Sequence, residues 1–560
     1  MLSKHIAIRH LLPCDVSSAH NEGFIHIHDL DYFLSPLTNC MLVNYRDMLD
    51  NGFRIGDAEI GSPNSIGVAS TVLTQIIQAV ASSQYGGQTI AHMDIGLAKY
   101  VKASHQKLML EREKYNLPHS WVTEKLEKEV YDAMQAFLYQ VNTLTTTNGQ
   151  SPFISISIGS GTGYCERLIT KKYLEVHMAG LGKDKITPVF PKVIFMLEDG
   201  VSMRPGDINY DLKKLSIECS VQRIYPDYLS VPLNREVTGS TGTAVSPMGC
   251  RSFLPKYVNE EGSEVYDGRF NMGVVSLNLA MIAKESTPEN FYENLGKYSQ
   301  LALKAHMIRV ARLKGTTARQ NPTLFMHGAI ARLAADDTID QLFYDGYASI
   351  SLGFIGMAEA VSILGYANAK EKSMDILQYL KGLCDTWKKE TRLGFSLYAT
   401  PSEGYALRAA TCFKKRYGED SLDRDYLTNS FHQPVWENST PIEKWQHEQG
   451  FAALSSGGHI AYIEEHSLKN NLEAYESYID LAYKMHPYFG INTPVDKCFK
   501  CGFTGEFIAA AEGYTCPTCG NKEEGTISVV RRVSGYLTAP NSRPLNRGKQ
   551  QEVMQRVKHE

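Results

Sequence analysis

Four cysteines close to the C-terminus constrain this chain more than any hydrophobic pattern in it. Cys498 and Cys501 make one Cys-x-x-Cys hook, and Cys516 and Cys519 make a second after fourteen intervening residues. Each hook supplies two thiolates from one tight turn, and two hooks at this spacing close a tetrahedron around zinc. Gly502 and Gly520 follow the second cysteine of each hook, where an unhindered backbone lets amides turn toward the sulfurs. Four protein ligands leave no open position, so the expected zinc is structural. Such a metal contributes on the order of 10 kcal/mol to local folding, which a short segment with little apolar content needs. Four free thiols or two disulfides are the competing reading.

The rest of the composition favours a reducing compartment. Cys14, Cys40, Cys165, Cys219, Cys250, Cys384 and Cys412 lie at irregular distances and form no secreted disulfide framework, so most are expected as reduced core residues. The 560 residues are 43% hydrophobic and 21% charged, enough to bury roughly three quarters of the unfolded surface. A net charge of -4 gives no global pull toward nucleic acid or anionic membrane, so phosphate recognition must be local. No apolar run reaches the length of a membrane span, and Met1 to Ile6 is no signal-peptide core. The expected location is the cytoplasm.

Before about residue 485 there is no short-period repeat and no long linker. Apolar β-rich runs at Phe153–Ile158, Val193–Leu197 and Val274–Leu279 alternate with helical patterns at Ser70–Ser83, Thr123–Leu144 and Asn290–Leu313. This alternation is α/β punctuation. In the last helix Phe291, Leu295, Tyr298, Ala302 and Ala305 recur on one face.

Twelve residues beyond Cys519 the chain reads Arg531-Arg532-Val533-Ser534-Gly535-Tyr536-Leu537. A glycine Cα radical is shared with the flanking amide and carbonyl, and without a Cβ the carbon flattens readily. Gly535 meets that condition, but so do the other glycines, and alone it reads as a turn residue. Beside a four-cysteine ribbon, the Arg-Val-x-Gly-Tyr-Leu core resembles the C-terminus of the anaerobic, class III ribonucleotide reductases. The likeness continues through Asn541 to Lys549 and Arg556 to His559. Two positions depart from the family pattern: Ser534 stands where a cysteine is common, and Thr538 where a glycine is common. Neither touches the Cα at issue, so they bear on loop packing.

The resemblance implies a ten-stranded α/β barrel of two five-stranded parallel halves, with loops threading its centre. It divides the chain into a catalytic barrel with N-terminal effector and dimer helices (1–485), a zinc ribbon (486–525), and a glycyl-radical loop with its tail (526–560). It implies reduction of ribonucleoside triphosphates to 2′-deoxyribonucleoside triphosphates without oxygen, with the radical installed on Gly535. The installing partner is an activase that uses S-adenosylmethionine and an iron–sulfur cluster.

That reaction removes the ribose 3′ hydrogen, expels the 2′ hydroxyl as water and returns the hydrogen. A cysteine suits the exchange, because its S–H bond gives a hydrogen to a carbon radical and its thiyl takes one from sugar. Val245 to Phe253 resembles the family's barrel-centre finger loop and puts Cys250 at the thiyl position, with Met248 beside it. Without the resemblance Cys250 reads as a structural thiol. Cys40 matches the second family cysteine, on the other face of the ribose, and its alternative is an apolar strand residue. Asn271 matches an asparagine of the branch that uses formate as reductant.

His26 and His28 share one face of a short extended segment, followed by Asp29, and suit either substrate contact or a polar cluster. Ser351 and Gly353 lie in an apolar strand before the helical run Ala358 to Leu364, whose free amides suit a triphosphate. Gln75 and Lys107 fall in the region of the family's effector site at a homodimer interface that takes deoxynucleotides or ATP; each also reads as solvated surface. The chain starts almost directly at the catalytic domain, so no ATP-cone and no dATP shut-off through one are expected. Two other classes compete. Another glycyl-radical enzyme, a C–C lyase or dehydratase, would share the loop and barrel but usually lacks the ribbon. A nucleic-acid-binding ribbon is opposed by Glu506, Glu512, Glu523 and Glu524 and by the absence of a basic and aromatic stripe.

Overall fold

The computed structural model describes residues 2–146, 151–533, 535–541 and 543–559. Ten strands make the wall of a barrel. The first five are β1 (Met41–Leu42), β2 (Gln88–Ile90), β3 (Ile154–Ile158), β4 (Lys192–Leu197) and β5 (Asp227–Ser230). The second five are β6 (Arg269–Asn278), β7 (Ser349–Ile355), β8 (Gly394–Ala399), β9 (Ala461–Glu464) and β10 (Tyr488–Asn492).

Strands β1 to β5 pair in parallel, in chain order. In the second half β6, β7 and β8 are parallel, as are β9 and β10. The halves meet antiparallel at β1–β6 and β5–β10. Between β8 and β9 the ladder is completed by the segment just before β9: Gly457 N donates to Leu397 O (2.8 Å) and Ala399 N to Gly458 O (3.0 Å). A Cβ on Gly457 would lie 2.8 Å from Leu397 O, and one on Gly458 2.6 Å from the Tyr398 ring, so this closure requires two glycines. The two parallel halves expected from the resemblance are present.

Parallel strands covered on both faces are buried throughout. In β3 every residue is buried, yet isoleucine alternates with Ser155 and Ser157. The isoleucines join the main hydrophobic core, whereas both serines bond to the loop threaded through the lumen. Outside, the long helix Phe291–Leu313 packs on β6.

Element ends differ from expectation for local reasons. The helix expected at Thr123–Leu144 spans His119–Thr143, because Pro118 ends the preceding extended stretch. The strand expected from Val274 begins at Arg269, whose buried guanidinium donates to Tyr347 O and Pro255 O and so tolerates the interior. Of the scattered cysteines Cys219 and Cys384 are core as expected, whereas Cys165 and Cys412 are half-buried and Cys14 is exposed. Cys14 and Cys165 sit in the first turns of surface helices.

The ribbon carries a three-stranded sheet of Asp496–Cys498, Thr504–Gly505 and Ile527–Ser528 beside a hairpin of Ile508–Ala510 and Gly513–Thr515. Its small core of Phe507, Tyr514, Ile527 and Val529 is capped by Val553 of the terminal helix Arg547–Gln555. The tail then returns to the barrel, where His559 N donates to Glu464 O (2.9 Å).

Candidate active site and metal centre

The finger between β5 and β6 enters the lumen and turns at Gly249. Met248 and Ser252 pair across the turn, and Gly249 takes φ +58. Inward side chains of three consecutive strands hold this backbone. Thr89 Oγ1 donates to Pro247 O (2.7 Å), Ser155 Oγ to Gly249 O (2.6 Å) and Lys192 Nζ to Cys250 O (2.8 Å). The tip passes so close to Gly87 that a Cβ there would lie 2.7 Å from Gly249 Cα.

Cys250, at the tip, is buried against the loop that follows the ribbon. A Cβ built on Gly535 would overlap Cys250 Cβ and lie 3.1 Å from Cys250 Sγ. No other residue type fits at 535 while the cysteine keeps this position. Gly535 is itself buried, and Tyr398 Oη lies 3.9 Å from the Cys250 sulfur. Burial raises the Cys250 thiol above its ordinary value. It therefore carries its hydrogen at neutral pH, as hydrogen-atom exchange requires.

Cys40 lies across the fingertip. Its sulfur accepts from Gly87 N (3.3 Å), and a Cβ on Gly249 would stand 3.3 Å from it. Burial pushes this thiol up to about 12. The Cys40 carbonyl accepts from Asn271 N (2.8 Å). The Asn271 amide donates to Ser349 Oγ and Ser351 Oγ, both at 2.9 Å, and its oxygen accepts from Gly273 N (2.9 Å). Cys250, Gly535, Cys40, Asn271 and Ser351 are thus linked through the fingertip and two wall strands.

His26 and His28 do share a face, with ring centroids 4.5 Å apart. His26 stacks on Tyr405 and meets Arg408 (3.0 Å). His28 Nε2 meets Ser276 Oγ (2.9 Å), which meets Thr400 Oγ1 (2.8 Å). Burial lowers His28 to about 3 and raises Asp29 to about 6, the latter helped by Asp31 and Glu403. His28 and Asp29 border a cavity of about 20 Å³ with Gly273 and Arg309. Gly353 lies where a Cβ would strike the hydroxyls of Thr400 and Ser276. Met248 is buried with Leu42, Val245 and Leu254, where it steadies the finger.

The helix that follows β7, whose start the sequence suggested for a triphosphate, is Met357–Ile363. Its first turn holds the buried carboxylate of Glu359, which accepts from Thr428 N (2.9 Å) and Oγ1 (2.8 Å). Gln75 and Lys107 are exposed on the adjacent helices Ile66–Ala81 and Met93–Tyr115, where Lys107 Nζ donates to Asn64 Oδ1 (2.9 Å).

Sequence reasoning missed a set of buried charges behind the glycine. Lys192 Nζ donates to Gly535 O (2.7 Å) as well as to Cys250 O, and lies 3.2 Å from Asp227 Oδ2. Asp227 takes both arms of Arg532 (2.7 and 3.0 Å), and Arg532 Nε donates to Asn492 Oδ1 (2.5 Å). Arg531 points the other way, to Asp496 Oδ1 of the ribbon (2.6 Å), which also accepts from Val530 N. The loop entering Gly535 is pinned on two sides by adjacent arginines. A lysine opening an otherwise apolar strand was the one visible signal. Ser534 lies outside the described residues, and Thr538 is buried, paired with Arg531.

The ribbon sulfurs converge. All four lie within 4.8 Å of one another, with Cys498–Cys519 and Cys501–Cys516 both at 3.7 Å. A tetrahedron of bonds of ~2.3 Å has edges of ~3.8 Å, so the donor set fits zinc. The hook amides turn toward sulfur as expected, those of Lys500 and Cys501 toward Cys498 and that of Phe503 toward Cys501, while Gly502 and Gly520, at φ +77 and +69, close the hook turns on Cys498 O and Cys516 O, both at 3.0 Å. Cys498 Sγ also receives the Asn521 side-chain amide (3.5 Å). Among the described residues no helix is long and apolar enough to cross a membrane.

The family model described as anaerobic ribonucleoside-triphosphate reductase matches residues 1–559. Anaerobic ribonucleoside-triphosphate reductase of Escherichia coli (strain K12) is 46% identical over 574 residues, covering 100% of this chain and 80% of that protein. The enzyme of the same name from Enterobacteria phage T4 is 43% identical, covering 100% of this chain and 94% of its own. The anaerobic ribonucleotide reductase from Thermotoga maritima in complex with dATP and CTP superposes with a TM-score of 0.70 at 16% identity, over 96% of this chain and 87% of that one.

Proposed function

The chain belongs to the anaerobic ribonucleoside-triphosphate reductases, and on that premise we propose that it reduces ribonucleoside triphosphates with a glycyl radical on Gly535, a thiyl on Cys250 and formate as reductant. It is an oxidoreductase. The observation that carries the residue assignment is the contact of Gly535 with Cys250 inside the barrel.

The proposed steps are those the reaction asks of a glycyl radical beside a thiol. The Gly535 radical takes the hydrogen of Cys250 Sγ, leaving a thiyl. That thiyl takes the ribose 3′ hydrogen, and the 2′ hydroxyl departs with a proton as water. Formate supplies two electrons and a hydrogen and leaves as carbon dioxide, so one ribonucleotide, one formate and one proton give one deoxyribonucleotide, one carbon dioxide and one water. Return of the 3′ hydrogen and of the radical to Gly535 closes the cycle. Cys40, protonated through burial, serves as hydrogen donor on the opposite face. Asn271 fixes the Cys40 backbone and orients two serine hydroxyls. His28, neutral through burial, and Asp29 lie on the substrate side.

Zinc held by Cys498, Cys501, Cys516 and Cys519 has a structural role: it fixes the ribbon from which Asp496 grips Arg531. Since Gly535 is buried, an S-adenosylmethionine-dependent activase with an iron–sulfur cluster acts on an unseated loop. The dATP and CTP in the Thermotoga maritima complex support nucleotide effectors and substrates here, with Gln75 and Lys107 on the effector helices of a homodimer. The division into barrel (1–485), ribbon (486–525) and radical loop (526–560) belongs to the same reading.

The direct assay is anaerobic activation followed by CTP and carbon-labelled formate. Labelled carbon dioxide equal to the dCTP formed is expected. Turnover driven by a dithiol with formate unconsumed would refute the reductant, and no dCTP would refute the activity.

A further inference from the structure

The backbone carbonyls of the finger are held by two kinds of donor. Thr89 and Ser155 hold Pro247 O and Gly249 O with neutral hydroxyls. At Cys250 O, shared with Gly535 O, the donor is a fully buried ammonium. A hydroxyl would suffice to fix a loop, and burying a cation is costly. The position therefore asks for charge.

We infer that Lys192 is a positioning residue for the radical relay: its ammonium locks the Gly535 and Cys250 carbonyls to one point and draws unpaired spin off the glycine Cα. This rests on the assignment of the radical to Gly535 and of the thiyl to Cys250. The geometry is saturated. Three N–H donors meet three acceptors, Gly535 O, Cys250 O and Asp227 Oδ2, and the ammonium lies 4.9 Å from the Tyr488 ring centroid. Asp227 is fixed in turn by the two-armed Arg532 contact, from the same loop as the glycine.

The consequence for the radical is chemical. Spin on a glycyl residue is shared among Cα, the amide nitrogen and the carbonyl oxygen. A cation at that oxygen favours the form with negative charge on oxygen and spin on nitrogen. Spin density on Cα falls, the glycyl state is stabilised, and the exchange Gly535 radical plus Cys250 S–H to glycine plus thiyl is biased toward storage between turnovers. The same contact keeps donor and acceptor in register while the hydrogen passes.

The test uses the full-length protein, activated anaerobically, with its glycyl doublet recorded first. Absence of a doublet in the wild type sinks the radical assignment and this inference with it. Electron–nuclear double resonance on protein carrying ¹⁵N-lysine should show coupling to one lysine nitrogen and to exchangeable protons. Lys192→Met, which leaves Asp227 its Arg532 partner, should abolish that coupling, widen the α-proton splitting and cut turnover about 100-fold, with substrate KM within about twofold of wild type. Lys192→Arg should recover part of the narrower splitting. An unchanged splitting in Lys192→Met, or no nitrogen coupling in the labelled wild type, overturns the inference. Should Lys192→Met accept no radical, the labelled wild type decides alone.

Discussion

Cysteines at the barrel centre and in the ribbon do opposite work under opposite conditions. Cys250 is buried and Cys40 half-buried beside the fingertip, and desolvation holds both as thiols. The ribbon sulfurs pair at 3.7 Å, with Cys501 and Cys519 exposed, an arrangement that favours thiolates around a cation. Radical chemistry needs the hydrogen on sulfur, and metal binding needs it gone. The residue type is shared, and the surroundings select the chemistry. The strap between the two regions joins them physically: Arg531 answers to the ribbon and Arg532 to the barrel.

The sharpest break in that comparison comes from the barrel. Cys250→Ala should retain the glycyl doublet and lose all detectable nucleotide reduction, whereas Gly535→Ala should lose both; electron paramagnetic resonance and a dNTP assay read each. In the ribbon, Cys516→Ser or chelation should remove on the order of 10 kcal/mol of local folding free energy. Zinc content and radical yield should then fall together, with the far-ultraviolet dichroism of the barrel largely kept.

The two arginines sharpen the comparison further. Arg532→Met should destabilise by about 3–5 kcal/mol, because it strips the two-armed contact from the fully buried Asp227. Arg531→Met should cost less, since its side chain is 11% exposed and Asp496 keeps the amides of Val530 and Phe507. Denaturant unfolding of both variants measures the order.

The smallest effect is a pH limb. Burial, opposed by Asp227 and aided by Arg532, lowers Lys192 from 10.5 to about 8, with Cys250 and Arg251 also acting on it. Turnover should fall as pH rises through about 8, where the ammonium is lost. Stability should move the other way. Between about 8 and 10.5 the unfolded chain binds more protons at this lysine, so its contribution to the unfolding free energy rises with pH. Lys192→Arg should shift the activity limb upward.

What was legible in the sequence follows from how local each signal is. The ribbon showed itself because four ligands sit in two short hooks, and Gly535 because its motif is contiguous. Strand existence was legible too, since β3, β4 and β6 lie on the expected runs. The barrel came from resemblance, because β1 pairs with β6 across more than two hundred residues and no single-chain pattern encodes that closure. The same non-locality hid Lys192, Thr89 and Ser155, for which face of a strand looks inward is set only once the wall has closed. Glu359 was hidden in a similar way, since its partner Thr428 lies far along the chain.

In the proposed mechanism, spin stored on Gly535 lies against the sulfur-bearing carbon of Cys250. Electron–nuclear double resonance of the activated protein grown with β-deuterated cysteine tests this directly. The glycyl doublet should show a strong, largely dipolar deuterium coupling that vanishes in Cys250→Ala. A glycyl doublet with no such coupling, or one whose coupling survives that substitution, would contradict it.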